Sequence, residues 1–127
     1  QKGRQYGRGR EKPSDREDNM KTSDKKARAL AAQTHTEAYR QIQQAYYQAE
    51  VRADHAWDEA RAQAWQTLSA IPAQAPKIAK DAAWQTFEEA LAVAKQACRQ
   101  SHTLAQRALH ADRALADQIH QQSIEKK

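Results

Sequence analysis

The chain has little glycine, proline or cysteine, and each shortage argues against a class of protein. All three glycines lie within the first nine of 127 residues, and there are only three prolines. Because sheets need turns rich in these two residues, a β or α/β fold is not expected. The single cysteine, Cys98, forms no intrachain disulfide. That fits a reducing compartment, either the cytoplasm or an organelle matrix.

Large apolar side chains are scarce as well. Leucine, isoleucine, valine and phenylalanine together number 14, whereas alanine alone contributes 27 residues. The sequence therefore predicts helices that pack through a thin core. No apolar run approaches the roughly 20 residues that span a bilayer, and neither arm separates a basic face from a strongly apolar one. A membrane partner is not expected.

What the chain does have is two long stretches without a helix breaker. They predict an all-α fold in which residues 14–71 form a first helical arm and residues 77–127 a second. The prolines in 72–76 mark the corner between them. This pattern favours a long antiparallel helical hairpin or coiled coil. A polar cluster at 99–103 leaves open a break near residue 100, which would give a three-helix bundle.

Apolar residues spaced by three and four predict the inner face of each arm. On the first arm this stripe comprises Tyr39, Ile42, Tyr46, Ala49, Ala53, Ala56 and Ala60, and on the second Trp84, Phe87, Leu91, Ala94 and Cys98. If the arms fold back at the corner, Trp65 lies near Trp84, Trp57 near Leu91 and Tyr39 near Leu109.

Residues 1–13 form a basic arm rich in glycine and arginine. Its first 12 residues carry five basic side chains and one acidic one. We expect the arm to be disordered when alone. Arginine and lysine contact phosphates, and a tyrosine stacks on bases, so the arm is predicted to bind nucleic acid. The predicted contact residues are Arg4, Tyr6, Arg8, Arg10 and Lys12. The alternative is a solvated tail.

Aromatic residues are the candidates for binding protein. Tryptophan and tyrosine are enriched at binding hot spots, and three tryptophans are a heavy load for so alanine-rich a chain. The candidates are Tyr47, Trp57, Trp65 and Trp84. Trp57 falls off the predicted stripe of the first arm. For the others, a place in the core is the competing interpretation.

Metal binding and catalysis are not expected from the residue patterns. Zinc and di-iron sites in helices use spacings such as His-x-x-x-His or Glu-x-x-His, and neither occurs among the five histidines. Cys98 lies on the apolar stripe and is interpreted as a small buried hydrophobe. The chain has no glycine-rich phosphate loop and no turn-built pocket for a nucleophile and its base. No cofactor, metal or enzymatic activity is therefore predicted.

The sequence as a whole indicates an interaction protein. The scarcity of large apolar residues predicts a protein partner or self-association, since a two-helix hairpin buries little by itself. The first hypothesis is a non-catalytic helical module of a nucleic-acid-handling assembly, with the arm on phosphates and the aromatic faces on protein. The alternative is an architectural coiled-coil subunit or scaffold of a larger complex, with no nucleic-acid role.

Overall fold

The computed structural model describes the backbone of residues 13–125 and the side chains of residues 21–125. This part of the chain consists of two α-helices and contains no strand. Helix α1 spans Pro13–Ser69 and helix α2 spans Lys77–Glu125. The predicted all-α hairpin is thus confirmed. The basic arm lies outside the described residues, and its nucleic-acid contacts stay a prediction.

Helix α2 runs without interruption through the polar cluster at 99–103. The third helix left open by the sequence is therefore not found among the described residues. Serine, threonine and histidine are mediocre helix formers, but contacts with a neighbouring helix override such weak preferences. His102, in the middle of this cluster, is half-buried against α1.

The corner between the helices is held by short backbone hydrogen bonds. The amide of Ile71 donates to Leu68 over 3.2 Å, and that of Ala75 donates to Pro72 over 3.0 Å. Ile71 is half-buried and lines one apolar pocket together with Ala83. Pairing between the helices therefore begins close to the corner.

The chain divides into two compact units. One comprises Gln41–Asp112, and the other combines Gln1–Arg40 with Arg113–Lys127. Each unit contains a segment of both helices, and the segments are antiparallel. The 41–112 unit is marked by a contact between Cys98 and Ala53, and the other by a contact between Tyr39 and Arg113.

The predicted pairing of the helices was wrong by about one helical turn. Tyr39 was expected near Leu109, but it contacts Arg113 and Asp117 instead. Trp65 packs against Phe87, with ring centroids 6.1 Å apart, although it also lines one pocket with Trp84, its expected neighbour. The physical reason lies in tertiary packing near the corner, where Ile71, beyond the end of α1, is half-buried and lines one pocket with Ala83.

The inner face of both helices repeats every eleven residues. Beside Tyr39, Glu50 and Ser123, which are also shielded, a series of shielded positions recurs in steps of four, four and three. On α1 they are Ala27, Ala31, His35, Ala38, Ile42, Tyr46, Ala49, Ala53, Trp57, Ala60, Ala64, Leu68 and, at the corner, Ile71. On α2 they are Ala83, Phe87, Leu91, Ala94, Cys98, His102, Ala105, Leu109, Arg113, Ala116, His120 and Ile124.

An eleven-residue repeat has 3.67 residues per turn, so the spacing is not that of a heptad coiled coil. The predicted inner-face stripes are consequently wrong at two positions, because Ala56 and Trp84 are exposed. Trp57, predicted to fall off the stripe, is half-buried on it. The predicted spacings of three and four residues were correct, but in the structure two spacings of four follow each spacing of three.

The core consists of large side chains set against alanines. Starting from the Cys98–Ala53 contact, the antiparallel step places Tyr46 opposite Ala105. Among the described residues, the buried apolar side chains are Ala53, Ala105 and Ala116. This interior is too thin to cover the apolar residues of both helices.

Neither helix carries, over the described residues, a stretch apolar enough to cross a membrane.

Candidate functional site

A cluster of four ionisable side chains lies in the 41–112 unit. Helix α1 contributes Glu50 and Asp54, and helix α2 contributes Cys98 and His102. Within each pair the residues are four apart, so both side chains lie on the same face of their helix. We call this group the Cys98–His102 cluster.

The imidazole of His102 lies at the centre of this cluster. Its Nε2 is 3.0 Å from Oδ1 of Asp54, and its Nδ1 contacts Oε2 of Glu50. The thiol of Cys98 donates a weak hydrogen bond to the carbonyl oxygen of Ala53, at 3.7 Å. One atom of each of Asp54, Cys98 and His102 that could ligate a metal lies within 4.8 Å of the other two. Nitrogen, sulfur and oxygen ligands are thus brought to one point.

The carboxylates control the protonation of His102. Partial desolvation lowers the pKa of His102, but the hydrogen bond with Asp54 and the negative charge of Glu50 outweigh it. The net result is a pKa above the ordinary value for histidine. The carboxylates of Asp54 and Glu50 therefore favour the protonated imidazolium form of His102.

Glu50 also interacts with the tyrosine one turn before it. A hydrogen bond with Glu50 is the largest cause of a raised pKa at Tyr46, and desolvation adds to it. The second carboxylate oxygen, Glu50 Oε1, is buried and has no hydrogen-bond partner within the described part of the chain. Glu50 thus connects the core tyrosine to the Cys98–His102 cluster.

A second polar cluster lies in the unit formed by residues 1–40 and 113–127. Oδ1 of Asp117 accepts a 2.6 Å hydrogen bond from the hydroxyl of Tyr39 and lies 2.8 Å from Nε2 of His35. The ring of His35 is 4.6 Å from that of His120. The guanidinium of Arg113 lies 5.6 Å from the Tyr39 ring centroid, a cation–π distance. We call this group the Asp117 cluster.

The hydrogen bonds of the Asp117 cluster shift two pKa values in opposite directions. The bonds from Tyr39 and then His35 lower the pKa of Asp117, because they favour its charged form. The same bond to Asp117 is the largest cause of a raised pKa at Tyr39. At neutral pH the carboxylate of Asp117 therefore stays charged and the phenol of Tyr39 stays neutral. Their hydrogen bond joins the two helix segments of this unit.

Apolar side chains also remain on the outside of α2. In the 41–112 unit, Val93 is 71% and Leu104 is 63% exposed. Ala97 and Ala108 lie on the same side of the helix and are exposed as well. We call these four residues the α2 stripe. Its two large members are eleven residues apart, which is the repeat of the inner face.

Three of the four aromatic residues predicted to bind protein are exposed. Tyr47 is exposed, as are Trp65 and Trp84. The two tryptophans both pack edge-on against Phe87 near the corner. Trp57 differs, because it is half-buried on the inner face.

The arginine one turn after Trp57 covers its ring. The guanidinium of Arg61 lies 5.4 Å from the ring centroid, and the same side chain forms a 2.7 Å hydrogen bond with Asp58. Trp57 therefore contributes to the packing of the hairpin, and its contact with a protein partner stays a prediction. Arg4, Tyr6, Arg8, Arg10 and Lys12 lie outside the described residues.

Sequence reasoning missed the Cys98–His102 cluster. The Cys98-x-x-x-His102 spacing is neither a pair of histidines nor a glutamate with a histidine, which are the two helical metal patterns that the sequence lacks. That spacing is visible in the sequence. The contribution of Glu50 and Asp54 is not, because it depends on which turn of α1 faces which turn of α2.

Comparison of the chain with protein-family models, with curated proteins and with solved structures found no match. The two clusters and the α2 stripe are therefore interpreted from their own chemistry.

Proposed function

We propose that this chain is a non-catalytic helical interaction module and that a second copy of the chain binds along the α2 stripe. The observation that carries the proposal is the exposure of Val93 and Leu104, eleven residues apart on one side of α2. A helix with the same repeat packs continuously along such a stripe, and both helices of this chain have that repeat. Burying each of these side chains contributes roughly 1.5–3 kcal/mol.

The small residues of the stripe favour a close helix pair. Ala97 and Ala108 present only methyl groups, so a second helix backbone approaches as closely there as α1 approaches the core alanines. The second copy would extend the packing of the hairpin into a coiled coil of four helices with an eleven-residue repeat.

The charges beside the stripe fit an antiparallel pairing of two α2 helices. A two-fold axis near the middle of the stripe places Val93 opposite the second copy's Leu104. Glu89 and Arg107 lie along one edge of the stripe, near its two ends. The same axis brings Glu89 towards the second copy's Arg107. The two copies thus meet through opposite charges at both ends of the contact.

The contact with nucleic acid is the second part of the proposal. It is supported by the charge of the arm and by three exposed lysines on the first described turns of α1, Lys21, Lys25 and Lys26. Pairing of two chains would bring two basic arms into one particle. Two linked arms bind a long polyanion more tightly than one arm does.

The self-association is tested by sedimentation equilibrium with two matched leucine variants. Leu104→Glu places a charge in the stripe, and Leu30→Glu places the same charge at a leucine of α1 that is 64% exposed, against 63% for Leu104. We expect a dimer for the natural chain and for Leu30→Glu, and monomers for Leu104→Glu. A natural chain that stays monomeric at high concentration would contradict the self-association.

The nucleic-acid contact is tested by titration of labelled single and double strands at low and physiological salt. We expect the affinity to fall steeply with salt, and the slope to become shallower when Arg4, Arg8 and Arg10 are changed to glutamine. If the triple variant binds as tightly and with the same salt slope, the arm makes no contact. The binding site would then lie on the helices, whereas no binding by the natural chain even at low salt would favour the architectural alternative.

A further inference from the structure

The Cys98–His102 cluster has the composition of a transition-metal site. It offers a thiol from Cys98, an imidazole nitrogen from His102 and a carboxylate from Asp54, with donor atoms within 4.8 Å of one another. Sulfur, nitrogen and oxygen donors in one place are the ligand set of Zn²⁺ and related ions, whereas Mg²⁺ and Ca²⁺ prefer oxygen alone. We propose that Asp54, Cys98 and His102 bind a divalent transition metal ion, with Zn²⁺ as the best fit.

The spacing along each helix supports this site. Cys98 and His102 are four residues apart, which lets two side chains of one helix reach the same ion. Asp54 approaches from the facing helix, and its Oδ1 is 3.0 Å from His102 Nε2. With zinc–ligand bonds of 2.0–2.3 Å, tetrahedral ligand atoms lie roughly 3.3–3.8 Å apart. Side-chain movements of about 1 Å therefore close the cluster around an ion.

Glu50 supplies the outer partner that a metal-bound histidine needs. Its carboxylate contacts Nδ1 of His102, which leaves Nε2, 3.0 Å from Oδ1 of Asp54, to bind the ion. A carboxylate on the second ring nitrogen fixes the orientation and tautomer of a ligating histidine and makes it a stronger donor. Glu50 is thus assigned a positioning role, and the ion is assigned to Nε2.

Binding exchanges protons for the ion. The thiol of Cys98 loses its proton to solvent and gives up its weak hydrogen bond to Ala53. His102 binds the ion as neutral imidazole, so any proton shared with Asp54 also leaves. Three protein ligands leave a fourth position for water, since Cys98 and His102 are only half-buried. Because the ligands come from both helices, the ion would join α1 to α2 within the 41–112 unit.

The test is a titration of the reduced, full-length chain with Co²⁺, followed by displacement with Zn²⁺. Co²⁺ bound to a thiolate gives a near-ultraviolet charge-transfer band, and Cys98 is the only thiol in the chain. We expect this band to appear at one ion per chain and to be lost when Zn²⁺ is added. Zn²⁺ should also raise the unfolding temperature, and a chelator should reverse that rise.

Four variants test the site, two at proposed ligands, one at the positioning residue and one at a control histidine. Cys98→Ser should abolish the band, and His102→Gln should weaken binding more than the roughly 10–100-fold expected for Glu50→Gln, which removes only the positioning group. The control is His55→Ala, because His55 pairs with Glu59 at 2.7 Å on the surface of α1. It should bind the ion as the natural chain does. Absence of the band in the natural chain, or equal affinity for His102→Gln and the natural chain, would overturn the site.

Discussion

The hydroxyl of Tyr39 on α1 donates a 2.6 Å hydrogen bond to Asp117 Oδ1 on α2. This bond joins the two helix segments of the unit formed by residues 1–40 and 113–127. It is also the largest cause of the lowered pKa of Asp117, ahead of the bond from His35. A contact between helices thus depends on the charge of one exposed carboxylate.

Stability at low pH should depend on Asp117. Because its pKa is lowered by folding, its contribution to the free energy of unfolding is fully present above the ordinary aspartate pKa of about 3.9 and is lost as pH falls through the lowered value. We expect the unfolding temperature to fall less steeply between about pH 5 and pH 2 for Asp117→Asn than for the natural chain. Circular dichroism melts across this pH range measure the difference.

The Tyr39→Phe variant tests whether the hydrogen bond from Tyr39 is what lowers the pKa of Asp117. This change removes the hydrogen bond but keeps the carboxylate, so an NMR titration should find the pKa of Asp117 moved up towards its ordinary value. Asp112→Asn serves as the control, since it removes an exposed negative charge from the same helix. An unchanged Asp117 pKa in Tyr39→Phe would mean that the bond does not form in solution.

The phenol of Tyr46 should ionise at a pH above its ordinary range because of Glu50. The hydrogen bond with Glu50 raises the pKa of Tyr46 and favours the neutral phenol in the folded chain. Its contribution to stability is present below about pH 10 and is lost as pH rises through the raised pKa. We expect Glu50→Gln to lower the pKa of Tyr46. Phenolate absorbance measures the titration, and comparison with Tyr46→Phe isolates the signal of Tyr46. Identical titrations for Glu50→Gln and the natural chain would contradict the contact.

Phe87 should govern the environment of two tryptophans. The ring centroids of Trp65 and Trp84 lie 6.1 and 5.7 Å from that of Phe87, both in edge-on geometry. Such aromatic pairs contribute about 0.5–1.5 kcal/mol each beyond the area they bury. We expect Phe87→Ala to lower stability by at least 1 kcal/mol and to shift tryptophan emission to the red.

Phe87→Leu is the matched variant for this prediction. It keeps most of the apolar contact and removes the aromatic geometry, so its loss of stability should lie between those of the natural chain and Phe87→Ala. Phe87→Ala melting at the temperature of the natural chain, with unchanged emission, would show that the three rings do not pack together.

The helices were predictable because their signals are local. The lack of glycine after residue 9, and the prolines at positions 72 and 76, mark two long helices and a corner without any knowledge of packing. The eleven-residue repeat is also visible in the sequence, as alanines at that spacing. On α1 these are Ala27, Ala38, Ala49 and Ala60, and on α2 Ala83, Ala94, Ala105 and Ala116.

The pairing of the helices was not predictable, because it depends on tertiary packing at the corner. Ile71 lines one pocket with Ala83, and the facing pairs Tyr39–Arg113 and Glu50–His102 lie about one turn from the expected ones. The expected pairing would have placed His102 opposite Tyr46. Its actual neighbours, Glu50 and Asp54, lie one and two turns further along α1. A site built from two helices is therefore hidden until their pairing is known.

The eleven-residue inner face decides which residues remain outside for a partner, and two alanines of α1 test it directly. Ala53 is 5% exposed, whereas Ala56, one turn later and on the stripe that heptad spacing predicts, is exposed. Adding three carbons at a packed position costs typically 1–3 kcal/mol, but surface substitutions usually stay within about 0.5 kcal/mol.

The deciding measurement is the free energy of unfolding of Ala53→Leu and Ala56→Leu in urea. We expect Ala53→Leu to lose roughly 1–3 kcal/mol and Ala56→Leu to match the natural chain within about 0.5 kcal/mol. A large loss for Ala56→Leu with none for Ala53→Leu would contradict the eleven-residue inner face and, with it, the assignment of the α2 stripe as the surface left for a second copy.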